Sequence, residues 1–121
     1  RATPPVTVFA PLSRDPWRCP ARASFTHDLL RVCGGESLFP EGEPVTPDDL
    51  VAAQPDVILL PEGEGYPFGV DDANQLAALD IPAARRGHIH LIDGTLLTWP
   101  GTRIAYALRD LPALLASAMM E

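Results

Sequence analysis

Asp56-Val57-Ile58-Leu59-Leu60 places four consecutive branched apolar residues behind a single acid. A half-exposed strand alternates apolar and polar side chains, whereas an unbroken apolar run of this length suits a strand covered on both faces, as in a parallel sheet between helices. Two other β-rich runs join it: Val6-Thr7-Val8-Phe9-Ala10, closed by Pro11, and His88-Ile89-His90-Leu91-Ile92, ahead of a turn at Asp93-Gly94.

Helical signals fill the intervals. Ser24 stands before Phe25, Leu29, Leu30 and Val32, one apolar stripe that ends at Gly34-Gly35. Thr46-Pro47-Asp48-Asp49 joins a cap, a first-turn proline and two acids, and predicts a short helix ending near Pro55. Asp71 caps a third helix containing Leu76, Ala77 and Leu79, and a fourth begins near Gly101 and carries Ile104, Ala107, Leu108 and Leu111. Pro112 predicts a kink or restart before Leu114 and Leu115. The resulting order, β-α-α-β-α-β-α, is an α/β chain: a three-layer Rossmann-like lobe with a small parallel sheet flanked by helices. The expected strand order is 2-1-3, with a switch point for ligands beside strand one.

The 121 residues suffice for one domain, 1–121. No apolar run reaches the roughly 18 residues of a membrane span. Nine basic residues, all arginine and nowhere clustered, against sixteen acids give a net charge of −7. That balance lacks the footprint that phosphate backbones select, so nucleic acid is not an expected partner. The fourteen prolines end apolar segments rather than form a tract, which argues against disorder. The chain opens at Arg1 without a methionine or a signal peptide, as a processed or clipped chain does.

Loops after the three strands leave from the carboxyl edge of the sheet, where open α/β folds place ligands. They hold Arg14, Trp17 and Arg18 after strand one, Tyr66 and Phe68 after strand two, and Trp99 after strand three, with Arg103 in the next helix. Four of the eight aromatic residues fall in these loops, and with the arginines they suit a flat, partly anionic ligand. The alternative is that the rings cover the ends of the core.

Other chemistry lacks a pattern. Gly63, Gly65 and Gly69 lie in an acidic loop and there is no lysine for a Walker motif. His88 and His90 share one strand face by spacing, but no cysteine pattern makes a metal site of them, and core-edge histidines are the expectation. Cys19 and Cys33 flank the first helix, and a bridge would need the loop to fold back over it. His27, the only nearby base, lies mid-helix. No serine sits in a Gly-x-Ser-x-Gly elbow, and Asp48, Asp49, Asp71, Asp72 and Asp93 read as caps and turn residues. No catalytic residue, cofactor or metal is expected.

Asp15-Pro16-Trp17, Ser24-Phe25-Thr26-His27-Asp28-Leu29-Leu30 leading to Gly34-Gly35, Pro55 to Leu60, Glu64-Gly65-Tyr66-Pro67-Phe68, and Asp93 to Arg103 run in one order and spacing. In these segments the chain resembles the carboxyl-terminal lobe of class III periplasmic substrate-binding proteins, the helical-backbone metal receptors of ABC importers for cobalamin, haem and ferric siderophores. The resemblance covers nearly the whole chain but one lobe only; the amino-terminal lobe and linking helix have no counterpart. It implies that Trp17, Tyr66, Phe68, Trp99 and Arg103 face a ligand cleft, that a metal chelate or corrinoid is the ligand, and that the location is periplasmic or extracellular and membrane-associated. It also implies an ABC permease as partner, although Ala23 stands where the family docks through a glutamate. Pro100 replaces a tyrosine of the family's Trp-Tyr-Gly-Ser-Arg, and Gly63-Glu64-Gly65 alters the loop after strand two. The expected function is solute binding without conversion. The alternative is an isolated interaction module that exposes its cleft face to a partner, a second copy in a homodimer among them.

Overall fold

The computed structural model describes residues 6–14, 16–98 and 104–119. β1 (Val6–Phe9), β4 (Gly35–Ser37), β6 (Val57–Glu62) and β7 (Ile89–Asp93) form a parallel sheet in the order β4-β1-β6-β7. A small antiparallel sheet joins β2 (Ser13–Arg14), β3 (Trp17–Arg18) and β5 (Pro44–Val45). Helices α1 (Phe25–Val32), α2 (Pro47–Ala53), α3 (Val70–Ala77), α4 (Pro82–Arg86), α5 (Gly94–Thr98) and α6 (Ile104–Met119) complete the chain.

Alternation along the central strands divides the core in two. Val6, Val8, Val57 and Leu59 point to one face and pack with Leu29 and Leu30 of α1, Leu97 of α5, and Leu111 and Leu115 of α6. Phe9, Ile58 and Leu60 point to the other face, against Leu50 of α2, Leu76 of α3 and Ala83 of α4. Val57 through Leu60 are fully buried, as the unbroken apolar run requires.

The α/β class is as expected, but the strand order is not. The three anticipated strands lie 1-2-3, and the far side of strand one belongs to β4, paired in register Val6 with Gly35 through Val8 with Ser37. Gly-Glu-Ser carries no strand pattern, and Gly34-Gly35 reads as a helix stop. Tertiary packing makes this strand: a Cβ on Gly35 would lie 3.1 Å from both Leu115 Cδ1 and Val8 Cγ2, so glycine lets α6 close over it. Because α1 carries the chain from β1 to β4 on one side while later crossovers build on the other, the switch point still falls beside β1.

The remaining differences are local. α3 begins at Val70, one residue before the expected cap, with Gly69 as its cap residue. α4 was not signalled, and Asp93 does not end in a turn: its Oδ1 accepts from the Thr95 N–H at 3.0 Å and the Thr95 hydroxyl at 2.8 Å, starting α5. Pro112 sits inside α6, which continues without a restart. No described helix is long and apolar enough to cross a membrane.

Candidate ligand-binding site

At the carboxyl edge, β1 runs into the β2-β3 hairpin and β6 into residues 63–69. Arg14 projects from the hairpin, and its Nε donates to Asp72 Oδ1 at 2.9 Å. The other carboxylate oxygen of Asp72 accepts from the Gly69 N–H, also at 2.9 Å, and closes the first turn of α3. The Asp72 side chain is 6% exposed and that of Arg14 57%. Burial thus falls on the carboxylate, whose oxygens are both engaged, while the guanidinium stays wet. Among the described residues Nε is the only nitrogen of Arg14 with a hydrogen bond, leaving the two terminal nitrogens as a donor fork suited to carboxylate or phosphate.

The cation borders a cleft of about 280 Å³ that Pro67, Phe68 and Val70 also line. Phe68 is 5% exposed and forms its floor, whereas Val70 is 64% exposed and stands at its lip. Trp17 does not join them with an open face: it is 9% exposed, and its indole meets the Phe9 ring edge-on at a centroid distance of 6.0 Å. It covers the end of the core, the second of the two roles open to these rings. Arg18 is exposed, and its Nη1 donates to the Gly42 carbonyl at 3.3 Å.

Gly63 and Gly65, at φ 115° and 85°, make a turn that only glycine adopts readily, and Tyr66 N–H donates to Gly63 O at 3.0 Å as the chain returns. This altered segment sets Tyr66, half-buried, one residue from the cleft-lining Pro67. Trp99 and Arg103 lie outside the described residues. The structure therefore gathers Arg14 and Phe68 in one cleft, with Tyr66 beside it. Asp72 and Val70 were not read as site residues; the spacing Gly69-x-x-Asp72 was the available signal for the first, since a carboxylate at that offset reaches back to the cap N–H.

The reactive groups elsewhere are quiet. His88, just ahead of β7, and His90 within it bring their ring centroids to 6.0 Å. Burial, together with His88, holds the His90 imidazole below the usual histidine range. Among the described residues no three His, Cys, Asp or Glu side chains gather as metal ligands. Both cysteines are free thiols, Cys33 in the α1 side of the core and Cys19 in the opposite one, so the sheet separates them. Burial pushes the Cys19 thiol up to about 12, which removes it as a nucleophile near neutral pH.

No protein-family model and no curated protein matches the chain. Solved structures do. The periplasmic heme-binding protein RhuT from Roseiflexus sp. RS-1 superposes with a TM-score of 0.77 at 25% identity, over 97% of this chain and 48% of that one. The periplasmic vitamin B12 binding protein BtuF of Vibrio cholerae gives 0.76 at 22% identity, over 97% and 46%. The periplasmic heme-binding protein HutB of Vibrio cholerae gives 0.71 at 20%, over 95% and 49%. The likeness to the last two is one of fold. The chain spans about half the length of these proteins, and its fold is that of one lobe of the class III periplasmic binding proteins.

Proposed function

We propose that this lobe, with the fold of the class III periplasmic binding proteins, is a solute-binding component of an ABC-type importer and captures a metal chelate such as haem, cobalamin or a ferric siderophore. One observation carries the reading: a guanidinium anchored by the buried Asp72 carboxylate borders a cleft at the carboxyl edge of the sheet. Tyr66 covers apolar ring or chelate surface, the buried Phe68 backs the cleft from the core, and the free fork of Arg14 pairs with an acidic side arm. That cation matters on a chain of net charge −7, which otherwise repels an anionic ligand. Trp99 and Arg103 join the proposed site through the family resemblance, and Trp17 supports it from beneath. Arg18 belongs to its outer rim.

Binding of this kind needs no general base and no conversion of the solute. The location consistent with it is periplasmic, as for the matched structures. The proposed single lobe, 1–121, covers one side of a ligand, so its affinity is weaker than a two-walled cleft would give. Docking to a permease would use a contact other than the family's glutamate, since Ala23 occupies that position.

Titration with haemin, cyanocobalamin and ferric siderophores, followed by tryptophan fluorescence, tests the reading. Saturable quenching by one of them, weakened about tenfold in Arg14→Gln, is the expected result. Silence toward all three overturns it. A second reading, self-association, is favoured by the exposed Val70 at the cleft lip; light scattering that finds a stable dimer indifferent to every ligand would select it.

A further inference from the structure

The cleft beside Phe68 holds more charge than the Arg14 fork alone. Asp71 and Asp72 line it too, so one cation faces two carboxylates. Asp72 is fully engaged: it is buried, and its two oxygens are taken by Arg14 and by the Gly69 N–H. Asp71 is not. It lies one residue earlier in the first turn of α3, about 100° around the helix from Asp72, and is exposed. Among the described residues no hydrogen bond or ion pair engages its side chain. The return bond to the Gly69 N–H comes from Asp72, so starting the helix does not occupy Asp71 either.

Size limits what those groups can meet. At about 280 Å³ the cleft is roughly 8 Å across if taken as a sphere, below the range of about 300–1,000 Å³ usual for pockets that enclose a whole small molecule. The core of a chelate stays outside such a cleft and an arm of it enters. Within that span the arm meets a guanidinium fork on the hairpin side and a carboxylate on the α3 side. An arm bearing only acids satisfies Arg14 but faces Asp71 at close range, on a chain that already carries a net charge of −7. A cationic group beside the acid removes that repulsion and pairs with Asp71.

We propose that Asp71 is a specificity-determining residue of the cleft: the arm that enters is zwitterionic, its carboxylate on the Arg14 fork and its ammonium group on Asp71. This rests on the reading of the chain as a chelate-binding lobe. It goes beyond that reading in naming the second charge of the ligand and the residue that selects it. An exposed ion pair contributes little by itself, so Asp71 tunes the choice among ligands and leaves most of the affinity to other contacts.

Three ferric trihydroxamates with one chelating core separate the charges. Ferrioxamine G ends in a free carboxylate and a free ammonium, ferrioxamine B keeps the ammonium and ends in an acetyl group, and ferrioxamine E joins the two ends as an amide and carries neither charge. Titrated against the intact chain by tryptophan fluorescence, ferrioxamine G is expected to bind about tenfold tighter than B, and B about threefold tighter than E. Asp71→Asn removes the advantage of B over E and keeps that of G over B, which comes from Arg14. Asp48→Asn makes the same change of net charge in the first turn of α2, outside the cleft lining, and alters neither ratio. Equal binding of B and E by the unaltered chain, or an advantage of B that survives in Asp71→Asn, overturns the proposal. So does binding of 6-aminohexanoate as tight as that of ferrioxamine G, which assigns the cleft to a free zwitterion. If all three ferrioxamines are silent while haemin or cyanocobalamin binds, the chelate-binding lobe stands and the zwitterionic arm falls; silence toward every one of them takes both.

Discussion

Asp72 links three parts of the molecule through one carboxylate: the β2-β3 hairpin by way of Arg14, the cap of α3 through Gly69, and the cleft floor beside Phe68. Asp72→Asn keeps a carbonyl for one donor but gives up the charge that pairs with Arg14. It should cost about 1–2 kcal/mol in urea unfolding; a loss within experimental error would mean that the pair is ornamental. The other instructive residue is Cys19. Its thiol is raised by burial and by the charge of Glu43, against the opposing backbone hydrogen bond at Ala10, to about 12 from 9.0. In that interval the unfolded chain ionises and the folded one does not, so the folded state holds more protons and stability falls as pH rises. The stabilisation is complete below pH 9 and is lost on climbing toward 12; Cys33, shifted in the same direction by burial, adds to the loss. Denaturant midpoints of the Cys19→Ala variant should show a shallower alkaline decline than the parent. A steeper or equal decline would contradict the burial of that thiol.

Elements whose own residues carry their signal were legible. Ser24 accepts from the His27 N–H, and Thr46 and Asp49 form a reciprocal capping box, so the starts of α1 and α2 follow from side-chain chemistry within four residues. β4 was illegible for the complementary reason: Gly35-Glu36-Ser37 becomes a strand only because Val8 and Leu115 leave room for it. α6 shows tertiary contacts overriding a local breaker. Pro112 removes one helical hydrogen bond and crowds the preceding turn, yet Leu111 and Leu115 on either side are buried and hold the helix together across it. Pro112→Ala should therefore restore the bond without disturbing the packed stripe and stabilise the chain by about 1 kcal/mol or more. A thermal melt by circular dichroism that moves down instead would show that the core is packed around a proline-dependent bend.

At the scale of the molecule, the two halves of the core share their central strands. Val8 and Phe9 are neighbours in β1 and serve opposite faces, as do Val57 and Ile58 in β6, so neither half can lose its packing while the other keeps a sheet to pack on. Urea unfolding of a Trp99→Phe variant followed by tryptophan fluorescence, which then reads the Trp17 side, should coincide with its unfolding followed by far-ultraviolet circular dichroism, which reads all helices. Separated midpoints would make the two faces independent units. The site follows the same logic as the fold. That aromatic and arginine residues occupy loops after strands was visible in the primary structure, because β-rich apolar runs and proline stops mark where strands end. Which rings keep an open face was not visible: Trp17 and Phe68 went to the core, Tyr66 came to rest on Gly94, and Arg14 acquired Asp72 from 58 residues away. Sequence alone determined the layered α/β plan, since patterning and capping act within a few neighbouring residues. Only tertiary structure decided strand order and ring exposure, because each depends on the volume left by segments distant in the chain.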